Sequence, residues 1–179
     1  MLNVDVKVLG VDTFASSSHK WMLAPKGSGL LYIRKEAQER VKPLTLRSSY
    51  HVYSASGGTR NVAGILAHGV AMDFHDTIGR DKVEARCREL RRYLREALGP
   101  VDGVKVITPA DEVLCGGILT ISLERGDAGK VRGTLAGRDI VLKRGSTQYN
   151  AIRISTHIFN DETDIARATE ALAGVMRRA

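Results

Sequence analysis

Between Arg80 and Leu98 the sequence places Val83, Cys87, Leu90, Leu94 and Leu98 at steps of three to four residues, the repeat that aligns side chains along one stripe of an α-helix. Gly79 precedes this segment and Gly99-Pro100 follows it, so both ends carry a helix breaker. A helix with one apolar stripe needs a second layer to cover it. The downstream sequence supplies one. Strands are predicted over residues 104–108, 117–123, 140–143 and 151–156, and a helix over 127–136. A last helix opens at Asn160 or Asp161, carries Glu162 and Asp164 in its first turn, and closes with Arg177 and Arg178, as the helix dipole prefers. The fold class is α/β.

The upstream part is less complete. Residues 2–11 alternate loosely and lead through Asp12-Thr13-Phe14-Ala15 to a short buried strand that ends in Ser16-Ser17-Ser18-His19. An apolar patch (Trp21, Met22, Leu23), a Pro25-Lys26-Gly27 turn with Lys26 exposed, and a strand over 29–33 follow. Residues 42–59 read as an ordered loop. Asn61 caps a helix reaching about Thr77, with Val62, Ile65, Leu66, Val70 and Phe74 at helical spacing. Two or three strands with no covering helix bury little, so residues 1–60 read as the end of a larger domain. Residues 61–79 form a connecting helix, and 80–179 a small complete domain.

The charge balance raises nucleic acid as a partner: the formal charge is +7 and the sequence pI about 9.6. Much of the excess lies between Arg80 and Arg95, where Glu84, Glu89 and Glu96 are interleaved with arginines three or four residues away. That spacing describes a solvated, ion-paired helix face rather than a nucleic-acid surface. Cys87 and Cys115 are far apart and lack a CxxC partner, which fits a reducing, cytoplasmic setting. No apolar run is long enough to cross a membrane. His68 and His75, seven apart, have no zinc-ligand spacing, and no metal site is expected.

The chemistry concentrates in Ser16-Ser17-Ser18-His19-Lys20-Trp21-Met22-Leu23-Ala24-Pro25-Lys26-Gly27-Ser28-Gly29. A lysine between a polar cluster and an apolar patch is open to partial desolvation, which frees its amine as a nucleophile. Neighbouring hydroxyls and an imidazole suit a phosphate, and the glycines allow a bulky group close to the backbone. From these residues alone, a plain loop lysine remains open as an alternative.

The order Asp12-x-Phe14-x-x-Ser17-x-His19-Lys20-Trp21-x-x-x-Pro25-x-Gly27-x-Gly29-x-Leu31-Tyr32 resembles the cofactor-lysine segment of the class V aminotransferases, which include cysteine desulfurases and isopenicillin N epimerase-like enzymes. The likeness continues through Gly58-Thr59-Arg60-Asn61, Ala71-Met72-Asp73-Phe74, Ile152-Arg153-Ile154-Ser155 and Phe159-Asn160-Asp161-Glu162-x-Asp164-Ile165. It implies a PLP-dependent transferase-like fold in which residues 1–60 are the C-terminal part of the cofactor-binding large domain. It also implies pyridoxal 5'-phosphate as cofactor and an amino-acid substrate. Lys20 would form the internal aldimine and then move the substrate's α-proton. Ser17 and His19 would contact the cofactor phosphate, Thr59 would reach the phosphate held by the neighbouring subunit of a homodimer, and Arg153 would grip the substrate carboxylate.

Two departures narrow this expectation. The desulfurases' nucleophilic cysteine has no counterpart in Lys143-Arg144-Gly145-Ser146-Thr147-Gln148-Tyr149-Asn150; transamination, epimerisation and carbon–sulfur lysis stay open. The family's Asp-Gly-Ala segment, whose aspartate faces the pyridine nitrogen, would fall before residue 1. The chain therefore reads as a truncated piece, inactive alone. Two other readings compete: a non-catalytic remnant without cofactor, and a basic nucleic-acid-binding module.

Overall fold

The computed structural model describes residues 2–41 and 61–178. The chain divides into two compact units, Asn3–Arg80 and Asp81–Ala179, the latter including Met1–Leu2.

The second unit is built on a four-stranded antiparallel sheet in the order β3-β4-β6-β5, with β3 at Val104–Val106, β4 at Ile118–Leu123, β5 at Lys143–Arg144 and β6 at Ala151–Ser155. Register pairs Leu119 with Ile154 and Ile121 with Ile152, so apolar side chains from neighbouring strands meet on one face. That face is covered by α3 (Arg80–Leu98), α4 (Ala128–Ala136) and α5 (Glu162–Met176). The α3 stripe read from the sequence is the buried one: Val83, Cys87, Leu90, Leu94 and Leu98. Fully burying each such side chain contributes roughly 1.5–3 kcal/mol.

Local chemistry fixes the ends. Asp161 caps α5 by accepting from the Asp164 amide, and the Asp164 carboxylate accepts from the Asp161 amide in return, a reciprocal box that satisfies two otherwise unpaired donors. The helix stops at Met176, and Arg178 Nε donates to Gly174 O at 3.1 Å, close to the expected basic ending. Asn150, in the left-handed region at φ 44°, donates to Leu123 O and Gly126 O and accepts from the Ala128 amide. One side chain thus ties β4, α4 and β6 together.

Two expectations change here. The strand predicted over 140–143 is displaced to Lys143–Arg144. Ile140 instead folds back so that its amide donates to Leu135 O, with Asp139 at φ 59° making the turn, and Val141 is left exposed. The α3 face is also less uniformly solvated than its charge pattern implied. Arg86 pairs with Glu89 and Glu162, and Arg88 with Glu84, but Arg91 is 0% exposed and reaches Glu112. Lying next to Leu90 and one turn from Cys87 and Leu94, Arg91 falls inside the covered stripe, and its charge is met by a carboxylate from the Glu112–Leu114 turn.

In the first unit, residues 2–11 were expected to run into a strand. They contain α1 (Val6–Leu9), capped by Asp5, which accepts from the Lys7 and Val8 amides, and ended by Gly10 at φ 64°. The strand β1 starts later, at Thr13–Ser17, and pairs antiparallel with β2 (Gly29–Ile33). Residues 18–28 return the chain between the two strands as a hairpin, the short connection that an antiparallel pair allows. The helix α2 spans Val62–Ile78, with Asn61 accepting from the Gly64 amide. No helix of the described residues is long and apolar enough to cross a membrane.

Candidate functional site

The segment singled out by sequence is the β1–β2 connection. Ser17 ends β1 opposite Gly29, and the loop is closed by the Ser18 amide donating to Ser28 O and the Ala24 amide to Ser18 O, each at 3.1 Å. A tight turn follows Lys20, whose carbonyl accepts from Leu23, a residue at φ 60°. Gly29 has a steric reason: a Cβ there would lie 3.0 Å from Ser16 O, inside normal contact with the facing strand.

This loop holds Ser17, His19 and Lys20 outward, all three exposed, and turns Ser18 inward. His19 Nδ1 lies 3.1 Å from Ser28 O. A carbonyl can only accept, so Nδ1 carries the proton there, and Nε2 is left facing outward. The sequence leaves Lys20 open to partial desolvation or to the role of a plain loop lysine, and the structure holds it exposed. Trp21 and Met22 are half-buried, with Met22 Sδ 3.2 Å from His68 Nε2, while Lys20 stays in water. Lys26 is exposed, as expected.

Ser18 was not singled out by sequence. Its Oγ is buried and has no hydrogen-bond partner among the described residues, although a buried hydroxyl ordinarily has one. Only the inward step of a strand ending mid-loop could have marked it.

Arg153 lies in β6, in the second unit, between the inward-facing Ile152 and Ile154. It is exposed, sits opposite Thr120 and Lys143, and has no carboxylate partner among the described residues. An unpaired guanidinium on a sheet face with a lysine beside it is suited to an incoming carboxylate. Thus one loop carries Ser17, His19 and Lys20, a separate unit carries Arg153, and Thr59 lies outside the described residues.

Neither cysteine is exposed. Burial pushes the Cys87 thiol up, and Cys115 Sγ lies 3.3 Å from Pro109 O; both are free. Among the described residues no group of three His, Cys, Asp or Glu is arranged to hold a metal ion.

Comparison with known proteins agrees with the residue order. Residues 1–168 match the Aminotransferase class-V family model. The chain is 31% identical to an isopenicillin N epimerase of Amycolatopsis lactamdurans, over 95% of this chain and 48% of the relative. It is 31% identical to a probable hercynylcysteine sulfoxide lyase of Mycobacterium tuberculosis, over 95% and 46%. Its fold matches an apo cysteine desulfurase from Thermococcus onnurineus NA1 with a TM-score of 0.84 at 19% identity, over 99% of this chain and 50% of that one. The chain spans about half the length of the curated relatives it matches. On a family match that runs through nearly all of its residues, the chain belongs to the class V aminotransferases.

Proposed function

We propose that this chain supplies the lysine-bearing half of a pyridoxal 5'-phosphate-dependent enzyme acting on an amino acid, as a transaminase, epimerase or carbon–sulfur lyase. The observation that carries the reading is the β1–β2 loop, which presents a hydroxyl, an imidazole and a primary amine outward within four consecutive residues, Ser17 to Lys20. That donor set fits the phosphate and carbonyl ends of the cofactor. The carboxylate that the ring nitrogen needs is not in the loop.

When bound, the cofactor serves as an electron sink for the substrate's α-carbon. Lys20 would hold it through the ε-amine and, once substrate has displaced that amine, take and return the α-proton at Nζ. Ser17 Oγ and His19 would bind the phosphate, with the Ser28 carbonyl orienting the His19 ring. Thr59 would serve the neighbouring subunit's phosphate in a homodimer of the full-length form. Arg153 would bind the substrate carboxylate with two parallel N–H donors. Residues 1–60 would be the end of the cofactor-binding domain, 61–79 the connecting helix and 80–179 the small domain. A persulfide route is disfavoured because residues 143–150 lack a cysteine and both cysteines present are buried. The two free thiols support a cytoplasmic setting.

The test is to incubate the chain with pyridoxal phosphate, reduce with borohydride and map the modified peptide. Modification concentrated on Lys20, and abolished in Lys20→Ala, is expected. Even labelling across the surface lysines overturns the assignment and favours a remnant without cofactor.

A further inference from the structure

On the outer face of the second unit's sheet two cations stand side by side. Lys143 in β5 is the register partner of Arg153 in β6, and both are exposed. Residues directly opposite in an antiparallel pair share a face, with Cβ atoms roughly 5 Å apart, and like charges placed there repel. Nothing in the sheet offsets that repulsion. The four strands contain no Asp or Glu, and among the described residues neither Lys143 nor Arg153 has an ion pair. The backbone also fixes the alignment. The Gly145 amide donates to Ala151 O at 2.8 Å, and a Cβ at Gly145 would lie 2.7 Å from the Ala151 Cβ, so the chain leaves β5 close against β6. Protection of the sheet edge accounts for a charge in β5 but not for this pairing, since Arg144 already supplies one. On its other flank Arg153 is the register partner of Thr120 in β4, and Ser155 follows it, exposed on the same face. Two cations bordered by hydroxyls suit anionic oxygens.

We infer that Lys143 makes this face selective for an amino acid with a second carboxylate on a short side chain, of the length of aspartate or glutamate. The inference rests on the reading above in which Arg153 takes the substrate's α-carboxylate, and it adds the substrate class and the residue that reads it. Arg153 holds one carboxylate through two parallel donors, whereas Lys143 is a point charge on a flexible stem that can follow the second. Opposed residues this close bracket the two carboxylates of a short diacid. A neutral side chain leaves the cations repelling each other.

The test compares each acid with its own amide, because the two differ in charge and hardly in shape. The chain alone, without cofactor, is titrated with L-glutamate, L-glutamine, L-aspartate and L-asparagine, following the backbone amide signals of Lys143 and Arg153 by NMR. At low salt each acid is expected to bind about fivefold more tightly than its amide, the scale of one exposed charge contact. Lys143→Gln should abolish that preference and Lys143→Arg should keep it. Lys105→Gln, at the opposite edge of the sheet, should leave it unchanged. Circular dichroism checks that each variant folds. Equal affinity for acid and amide, a preference that survives Lys143→Gln, or no response of either signal to any of the four overturns the inference. Borohydride mapping of Lys20 is independent of this titration. An acid preference lost in Lys143→Gln, with no selective label on Lys20, upholds this site and removes the cofactor reading; label on Lys20 with no acid preference does the reverse.

Discussion

In the second unit Leu90, Leu119, Ile121, Leu135 and Ile152 are fully buried, whereas in the first unit Val8, Leu31, Ile65, Leu66 and Val70 face outward. Both units draw on the same aliphatic alphabet, and their elements are equally well capped: Asp5 and Asn61 close helix starts in one as Asp127 and Asp161 do in the other. What differs is whether the apolar stripe of each helix has a sheet to cover it. In α3 the stripe meets the β4–β6 face; in α2 it does not meet the unit's own hairpin. Local capping is therefore enough to define helix ends, and only the packing of a second layer turns a helix into part of a core.

The largest effect should appear when the two units are unfolded together. Trp21 is the chain's one tryptophan and lies in the first unit, so its fluorescence reports that unit, while far-UV circular dichroism is weighted toward helices such as α3 and α5. The fluorescence transition should occur at clearly lower denaturant than the dichroism transition; coincident curves would show a single cooperative unit and break the contrast. Next, Leu119→Ala should cost about 2–5 kcal/mol in the dichroism transition. Glu112→Gln leaves the buried Arg91 without its counter-charge and should cost roughly 1–3 kcal/mol in the same measurement. Removing the cap with Asp161→Ala should cost about 1 kcal/mol.

Smaller still is an acid effect. Arg86 holds the Glu162 carboxyl down to about 2, and Arg91 holds that of Glu112 low. Groups whose folded pKa is depressed stabilise the fold above the unfolded carboxylate value of about 4.3 and lose that contribution as pH falls through the folded value. Protection of the amides at the start of α5, relative to their unfolded exchange rates at the same pH, should therefore fall between pH 4 and pH 2, and Glu162→Gln should remove that dependence. Least of all, Leu66→Ala in the chain alone should shift stability by under about 0.5 kcal/mol. A large loss there would mean that α2 is already packed.

How legible all this was in the sequence depends on what each residue answers to. The α3 stripe, the Asp161 cap and the β4 and β6 strands follow local periodicity and local hydrogen bonding, and the sequence carries both. Residues 140–143 were misread because an apolar run does not reveal that Asp139 turns the chain and sends Ile140 back toward α4. Arg91 was misread because a charge at helical spacing looks solvated until its partner, twenty-one residues on, is known to sit beside it. At the candidate site, the types and order of Ser17, His19, Lys20 and Arg153 were readable. The exposure of Lys20 was not, since solvent access is set by what covers a loop rather than by its own residues.

The sheet of the second unit ends on one side in β3 and on the other in β5, with Lys105 in the first and Lys143 and Arg144 in the second. Strands this brief, studded with cations, offer few open backbone donors and repel a like neighbour. Fibrillar growth by edge-to-edge stacking is thereby opposed at both borders, so association of the purified protein on storage should be traced to exposed side chains such as Leu66, Val113 and Val141 rather than to the sheet edges.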